Sequence, residues 1–250
     1  MASIDWLRSK LRPLATALRT MRRAARGVPQ VGKVDFGDLR AVQPLCASYG
    51  SDRGSPIDRV YIERFLASHA ADIRGRVLEM QSDAYTRRFG GAAVERADVL
   101  DIDPHNSRAT LVADLTVAQQ LPAEAFDTII LTQTLQLIYD LDAAVATLHR
   151  ALKPGGVLLC TVCGVSSVGR GEREDEQWCW SFTPLSLQRL LGHRFTPSNV
   201  SCQAYGNVLT AIAFLEGVAA AELAEHEYDP VDPAYPVVVA ARAVKSVGPG

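Results

Sequence analysis

The sequence lacks the long apolar stretches of a membrane-spanning protein. None of its hydrophobic runs reaches the roughly 18 to 20 uninterrupted residues that a helix needs to cross a bilayer. The first residues are basic, but no uncharged apolar core follows them, as it does in a secretory signal. We therefore predict a cytoplasmic protein, with attachment to a membrane surface as the one association with lipid that remains open.

An excess of charge of one sign is also missing. The 26 Lys and Arg residues are balanced by 28 Asp and Glu residues, for a formal net charge of -2. A nucleic-acid-binding domain usually carries a basic excess, so we predict no nucleic-acid partner. The five cysteines include one C-x-x-C pair, Cys160 and Cys163, but no second pair and no close pair of histidines completes a set of metal ligands. We predict no metal site, and cysteines that are buried as small apolar side chains.

Residues 1–27 have the pattern of a basic amphipathic helix. Apolar side chains recur at alternating spacings of three and four residues, which places them on one helical face: Ile4, Leu7, Leu11, Leu14, Leu18 and Met21. Arginine and lysine surround this apolar stripe. Three interpretations are open: the helix lies on a membrane surface, it docks on a protein partner, or it packs on its own domain with a solvated basic face.

Residues 28–75 read as a linker followed by a helical segment. Glycine, aspartate and serine are frequent up to residue 55, which is typical of irregular chain. Pro56 suits the first turn of a helix, and Ile57, Tyr61 and Phe65 then follow at helical spacing. We predict that Arg59 and Tyr61 of this segment fold over a binding site as part of a lid.

From residue 76 to residue 245, apolar runs alternate with helical patterns. The runs are residues 76–80, 98–102, 109–115, 126–133, 155–162, 200–214 and 236–244, and the clearest helical patterns are residues 141–152 and 183–192. Such an order is typical of an α/β fold with a mainly parallel sheet covered on both faces. The last two runs have no long helix between them, which predicts an antiparallel pair at one edge.

The interval between the second and third runs is unusually short. Only PHNSR, residues 104–108, separates them, whereas a parallel crossover usually needs a dozen or more residues. Either these strands are very short or the helix between them is missing.

Acidic residues follow three successive runs, where ligands bind in an open parallel sheet. Glu79 lies near the end of the first run, Asp101 and Asp103 follow the second, and Asp114 with Leu115 follows the third. A carboxylate after the second strand is suited to the two hydroxyls of a ribose. A carboxylate after the third strand can accept a hydrogen bond from an adenine amine while the leucine covers the ring. The pattern predicts a site for an adenosine-containing cofactor.

These segments resemble the class I S-adenosylmethionine-dependent methyltransferases, which have a Rossmann-like, doubly wound fold. The resemblance covers roughly residues 50 to 245 and is most specific in ADLTVAQQLPAEAFDTIILTQTLQLIYDLDAAVATLHRALKPGGVLL. VLEMQSDAY and DVLDIDP stand where that family has its first two motifs. A narrower resemblance, to small bacterial methyltransferases associated with glycosyltransferases, is carried by RGSPIDRVYIERFL, YTRRFGG and WCWSFTP. That subgroup also lacks the helix after the second strand.

The resemblance implies S-adenosyl-L-methionine as the cofactor and assigns roles to particular residues. Glu79 would organise the methionine end of the cofactor, and either Asp101 or Asp103 would hold the ribose. Asp114 and Leu115 would flank the adenine, with Thr132 and Gln133 on the floor near the sulfonium. Tyr139 and Asp140 follow the fourth strand near the expected position of the methyl group, and we predict them as catalytic residues. Two interpretations are open for Trp178, Trp180 and Phe182: they form an aromatic wall for the acceptor, or they anchor their own segment.

Gln81 departs from the pattern of the family, which normally has glycine at that position. If the backbone there requires a positive φ, a non-glycine residue adds about 1 kcal/mol or more. We expect this to weaken cofactor binding by about tenfold. Two functions follow: an enzyme that O-methylates a sugar or a glycosylated small molecule, or a non-catalytic relative that acts as a protein partner or membrane-associated subunit. A nicotinamide dehydrogenase is disfavoured because no G-x-G-x-x-G motif is present.

Overall fold

The computed structural model describes residues 27–169 and 178–247. Contacts divide the chain into two compact units, Met1–Val42 and Gln43–Gly250. In the described part of the first unit, residues 27–42, a single 3-10 turn spans Gly37–Leu39. The predicted basic helix lies outside the described residues, apart from Gly27. The boundary predicted at residue 76 falls inside the second unit, to which the helical segment before the sheet also belongs.

A seven-stranded sheet forms the centre of the second unit. Its strands are β1 (Gly75–Met80), β2 (Val94–Asp101), β3 (Leu111–Val112), β4 (Phe126–Thr132), β5 (Leu152–Cys163), β6 (Val200–Tyr205) and β7 (Val238–Val244). Their order is β3-β2-β1-β4-β5-β7-β6, and all pairs from β3 to β5 are parallel. Strand β7 pairs antiparallel with β5 and with β6, which lies at the edge. The predicted α/β, mainly parallel fold with an antiparallel pair at one edge is confirmed.

In the described part of the chain, four α-helices cover the sheet: α1 (Ile57–Ser68), α2 (Leu141–Ala151), α3 (Pro184–Phe195) and α4 (Val208–Glu216). The two helices predicted most clearly have strong start signals. Asp140 caps α2 by accepting a hydrogen bond from the N–H of Ala143, and Thr183 forms a capping box with Ser186 at the start of α3. Side-chain oxygens thus satisfy amides that the first turn of each helix leaves without partners.

The core has two layers, one on each face of the sheet. On one face, Leu148 of α2 and Leu191 of α3 pack against strand residues such as Leu158. On the other face, Phe65 of α1 and Phe214 of α4 pack against residues such as Leu159. Neighbouring residues of β5 therefore enter opposite layers, which explains why the strands read as continuous apolar runs rather than alternating ones.

The connections between the first three strands contain no full α-helix. Residues 81–93, all of them described, form a turn, a π-helical turn at Thr86–Gly90 and a 3-10 turn at Gly91–Ala93. Residues 102–110 form turns only, and β3 has two residues. The helix between these strands is therefore missing, and of the two strands only β3 is very short, since β2 has eight residues.

One predicted strand was partly wrong. The apolar run over residues 200–214 is a strand only as far as Tyr205, and α4 begins at Val208. Asn207 starts this helix because its side chain accepts hydrogen bonds from the N–H groups of Leu209 and Thr210, and Gly206 breaks the strand with a φ of 121°. An all-apolar run has no periodicity that distinguishes a buried helix from a strand.

Among the described residues, none of the helices is both long and apolar enough to span a bilayer. Cys160 and Cys163 are 0% and 3% exposed, as expected for cysteines that act as small apolar side chains. Burial raises the pKa of the Cys163 thiol to about 12, which keeps it protonated near neutral pH.

Candidate functional site

A cavity of about 380 Å³ lies at the carboxyl ends of β1, β2, β3 and β4. The chain reaches β2 and β3 on one side of β1 and continues with β4 and β5 on the other, so the order of the strands reverses between β1 and β4. Crevices at this reversal are the usual ligand sites of open α/β sheets, and the volume lies in the range of small-molecule sites.

Seven of the eight predicted cofactor-binding residues line this cavity. They are Gln81, Asp101, Asp103, Asp114, Leu115, Thr132 and Gln133. Arg59 of α1 also reaches the cavity, as predicted for the helical segment before the sheet. Tyr61 does not, because its ring is fully buried and its hydroxyl donates a hydrogen bond to Oγ1 of Thr210 at 3.1 Å. Helix α1 is therefore part of the core, and only Arg59 of the two predicted lid residues contacts the cavity.

Glu79 is the predicted residue that does not line the cavity. Its side chain is 2% exposed, and its two carboxylate oxygens accept hydrogen bonds from the N–H groups of Tyr85 at 3.1 Å and Thr86 at 2.7 Å. Burial raises the pKa of this carboxyl group, and the hydrogen bonds oppose that effect. Glu79 thus fixes the turn that follows β1, and it acts on the cavity through that turn.

The backbone φ of Gln81 is 63°, so this position does require the positive φ that favours glycine. The N–H of Gln81 donates to the carbonyl of Leu100 at 2.8 Å, and the N–H of Ser82 donates to the carbonyl of Met80 at 2.7 Å. These bonds close a tight three-residue turn around Gln81, of the strained left-handed kind. Because contacts within the protein impose this conformation, its strain lowers the free energy of unfolding rather than the affinity for the cofactor. The expected weakening of cofactor binding by strain therefore does not follow from the structure.

Asn106, which sequence reasoning missed, joins the first two strand ends. Its side-chain amide donates to the carbonyl of Gln81 at 2.9 Å and to Oδ2 of Asp101 at 2.6 Å. Oδ1 of Asp101 accepts from the N–H of Asp103 at 3.0 Å. The only signal in the sequence was an asparagine in a short turn, which is common without any such role. Both acids lie on the cavity, so the choice between them for a ribose stays open.

The floor and the far side of the cavity come from β3 and β4. Oδ1 of Asp114 accepts from the N–H and the hydroxyl of Thr116, at 2.7 and 2.8 Å, which fixes the direction of the carboxylate. Leu115 beside it is 5% exposed and offers an apolar surface. At the end of β4, Gln133 has a φ of 49°, and its buried Nε2 has no hydrogen-bond partner within residues 27–169 and 178–247.

Neither predicted catalytic residue lines the cavity, although Leu137 and Ile138 just before them do. Tyr139 is 79% exposed and stacks on Trp180, with ring centroids 5.8 Å apart. Asp140 caps α2, as described above. The aromatic wall is also divided: Phe182 is buried in the core, and Trp178 lines a second cavity. A catalytic role for Tyr139 or Asp140 stays a prediction.

The second cavity measures about 180 Å³ and shares Arg59 and Gln133 with the first. Asp58, which is 7% exposed, and Gln136, which is 1% exposed, contribute to it. Sequence reasoning identified neither of them. An acid in the first turn of a helix is common because it is favoured by the helix dipole, so Asp58 gave no specific signal.

The first cavity fits an adenosyl cofactor with a sulfonium and an amino acid group. Three carboxylates border it, which suits hydroxyl and amine donors and a positively charged sulfur. Arg59 supplies a cation for the carboxylate of the amino acid group, and the unpartnered Nε2 of Gln133 supplies a donor on the floor. Leu115 provides an apolar contact for a purine ring.

Comparison with known proteins agrees with this site. Residues 64–160, less than half of the chain, match a family model described as a methyltransferase domain. The fold is similar to that of a SAM-dependent methyltransferase from Archaeoglobus fulgidus, at a TM-score of 0.50 and 12% identity, over 77% of this chain and 96% of that protein. Similarity is weaker to an S-adenosylmethionine-dependent methyltransferase from Mesorhizobium loti, at a TM-score of 0.48, 16% identity and coverage of 72% and 95%. No curated protein matches the sequence.

Residues 64–160 thus match a methyltransferase domain, and the fold is similar to that of a protein named as a SAM-dependent methyltransferase. S-adenosylmethionine is the cofactor named for that protein. The cavity at the reversal of strand order is where the residues that suit this cofactor lie.

Proposed function

We propose that the protein is an S-adenosylmethionine-dependent enzyme that methylates a hydroxyl group of a sugar or of a glycosylated small molecule. The observation that carries the proposal is the cavity at the strand ends, where Asp101, Asp103 and Asp114 come together beside Arg59. The parallel strands bring their acidic ends to one edge of the sheet, and this set of charges suits the hydroxyl, amine and carboxylate groups of the cofactor.

In the bound state, Asp101 or Asp103 would accept hydrogen bonds from the ribose hydroxyls, and Asp114 with Leu115 would hold the adenine. Arg59 would pair with the carboxylate of the cofactor. The cofactor supplies an activated methyl group on a positively charged sulfur. The protein then has to align the acceptor oxygen with that methyl group and to exclude water, which can supply much of the rate enhancement.

A sugar acceptor is supported by the segments that resemble the glycosyltransferase-associated methyltransferases. Two of the three supply walls of the second cavity: Asp58 and Arg59 belong to the first segment, and Trp178 belongs to the third. The second segment is joined to the first by an ion pair of 2.6 Å between Arg88 and Glu63. Segments that are distant in the sequence thus surround the place where an acceptor would meet the cofactor.

Calorimetric titration with S-adenosylhomocysteine tests cofactor binding, and mass spectrometry of methyl glycosides incubated with S-adenosylmethionine tests methyl transfer. We expect saturable heat in the micromolar range and a mass gain of one methylene group on a glycoside. Absence of heat at millimolar ligand would instead support a non-catalytic relative. Binding without transfer to glycosides, but with transfer to amines, would contradict the acceptor class.

A further inference from the structure

The second cavity contains buried polar atoms that have no hydrogen-bond partner among the described residues. One is Oδ1 of Asp58, which lies 3.9 Å from Nε of Arg59, beyond hydrogen-bonding distance. Four further such atoms belong to side chains that line the cavity: Oε1 of Gln136, Nε2 of Gln133, the hydroxyl of Tyr49 and Nε1 of Trp178. Buried polar groups are nearly always hydrogen-bonded, so five such atoms around one cavity indicate a polar ligand.

Reorienting the side-chain amides of Gln133 and Gln136 cannot pair all of their hydrogen-bonding atoms with each other. Nε2 of Gln136 donates to Oε1 of Gln133 at 2.9 Å, which leaves one carbonyl oxygen and one amide group unpaired. Flipping both amides exchanges the free donor and the free acceptor but still leaves one of each. The backbone carbonyl of Gln136 meanwhile accepts from the N–H groups of Cys179 at 2.7 Å and Trp180 at 3.2 Å, which holds the next wall of the cavity in place.

That wall is aromatic. Tyr49 stacks on Phe214, with ring centroids 5.7 Å apart and an interplanar angle of 25°, and on Trp178, at 6.3 Å and 24°. All three rings line the cavity. A ligand that fits must therefore present an apolar face to aromatic rings and hydroxyl groups to a carboxylate and two amides. A sugar ring has both, because its axial C–H groups form an apolar face for an aromatic ring and its hydroxyls project around the rim.

We propose that the second cavity is the acceptor site, that it binds one sugar ring, and that Asp58 takes the proton of the hydroxyl that becomes methylated. The assignment rests on the proposed function. The amides of Gln133 and Gln136 hold neighbouring hydroxyls, and Arg59 and Gln133, which line both cavities, mark the side on which acceptor and cofactor meet.

The proton balance requires such a base. When the acceptor oxygen bonds to the methyl carbon, the carbon–sulfur bond breaks with its electron pair on sulfur, and the hydroxyl proton goes to Oδ1 of Asp58. Burial raises the pKa of Asp58, and the charge of Arg59 opposes that effect, so the carboxylate is a stronger base than one in solvent. Burial raises the pKa values of Tyr49 and Cys163, and the charge of Asp58 raises them further, so both stay neutral near pH 7.

Three variants test this assignment. Asp58→Asn keeps the shape of the side chain and removes the base, and Gln136→Met removes the free amide. Asp52→Asn, the same exchange at an exposed residue a few positions earlier, is the matched control. Binding of S-adenosylhomocysteine by calorimetry and the thermal midpoint establish that each variant is folded with its cofactor site intact.

The acceptor site is probed with the methyl glycosides of glucose, galactose, mannose, rhamnose and fucose, by saturation-transfer NMR in the presence of S-adenosylhomocysteine. We expect a signal from at least one glycoside in the unmodified protein and in Asp52→Asn, and about tenfold weaker binding in Gln136→Met. In Asp58→Asn we expect glycoside binding within about threefold of the unmodified protein, and a rate of methyl transfer lower by about a hundredfold or more.

The outcomes separate this inference from the proposed function. Normal binding of S-adenosylhomocysteine without a signal from any glycoside, or with a signal that Gln136→Met leaves unchanged, would overturn the sugar site alone. Full transfer activity in Asp58→Asn would overturn the role of Asp58. Glycoside binding that depends on Gln136, in a protein that gives no heat with S-adenosylhomocysteine, would support the sugar site and overturn the methyltransferase.

Discussion

Replacing Gln81 by glycine should stabilise the protein, because glycine relieves the strain of the backbone at this position. It should change cofactor binding only because the side chain of Gln81 is removed from the cavity. The turn at Gln81 is held at a φ of 63° by hydrogen bonds from the N–H groups of Gln81 and Ser82 and by the amide of Asn106. All three bonds involve backbone atoms of residues 80–82, so they survive any substitution at position 81 other than proline. The left-handed conformation therefore persists in the variants.

The size of the effect follows from this geometry. A left-handed conformation costs an L-residue about 1 to 2 kcal/mol, which glycine avoids. Glycine also has more conformational freedom in the unfolded chain, which cancels about 0.4 to 1 kcal/mol of this gain in stability. The free energy of unfolding should thus rise by about 0.5 to 1 kcal/mol, or about 1 to 4 °C in the thermal midpoint for a chain of this length.

Gln81→Ala is the matched control, because alanine removes the side chain but keeps the strain. Thermal unfolding should rank glycine above alanine by about the same 0.5 to 1 kcal/mol. Calorimetry with S-adenosylhomocysteine should give both variants the same dissociation constant within about twofold. Both should bind a few-fold more tightly than the unmodified protein, because the side chain of Gln81 borders the cavity.

Two results would refute this reasoning. If Gln81→Gly bound S-adenosylhomocysteine about tenfold more tightly and Gln81→Ala did not, the strain at position 81 would affect ligand binding rather than the stability of the fold. If glycine were less stable than alanine, the hydrogen bonds of the turn would not impose a positive φ.

Three further predictions concern other carboxylates. Asp98 is 1% exposed and paired with two arginine side chains, so Asp98→Asn should lower the free energy of unfolding by about 2 to 4 kcal/mol at pH 7. Burial acts to raise the pKa of Asp98, but the two arginines lower it below its usual 3.8. The stabilisation by Asp98 is therefore complete above pH 3.8 and is lost as the pH falls through the lowered pKa. Chemical unfolding should show the stabilities of Asp98→Asn and the unmodified protein converging in acid. Asp140→Ala should lose about 1 kcal/mol of stability with the helix cap, whereas Asp140→Ser should keep the stability. An inactive but stable serine variant would support the predicted catalytic role of Asp140, and a fully active one would contradict it. One of the variants Asp101→Asn and Asp103→Asn should lose the ribose contact and bind S-adenosylhomocysteine about tenfold or more weakly. Equal binding in both variants would argue against a ribose at the end of β2.

The sequence was sufficient for the parts of the fold that depend on local pattern. Strands buried on both faces read as apolar runs, and caps such as Thr183 and Asp140 mark where helices start. The cavity residues could also be predicted, because parallel strands all end at the same edge of the sheet. That rule alone brings Asp101, Asp103 and Asp114 together.

Other features could not be read from local pattern. Residues 208–214 continue an apolar run, so the start of the helix depends on the cap at Asn207 and on packing rather than on periodicity. Glu79 was predicted to organise the methionine end of the cofactor, but its carboxylate accepts from the N–H groups of Tyr85 and Thr86 and does not line the cavity.

The sequence by itself determined an α/β sheet with acids at its strand ends, since both follow from spacing along one strand or helix. Only the tertiary structure decided which polar side chains lack partners. Asp58 and Gln136 lie 78 positions apart in the sequence, and their burial beside Trp178 depends on how α1, β4 and the segment before α3 pack together. Whether a buried carboxylate is satisfied is a property of all the groups around it, and no local pattern encodes that.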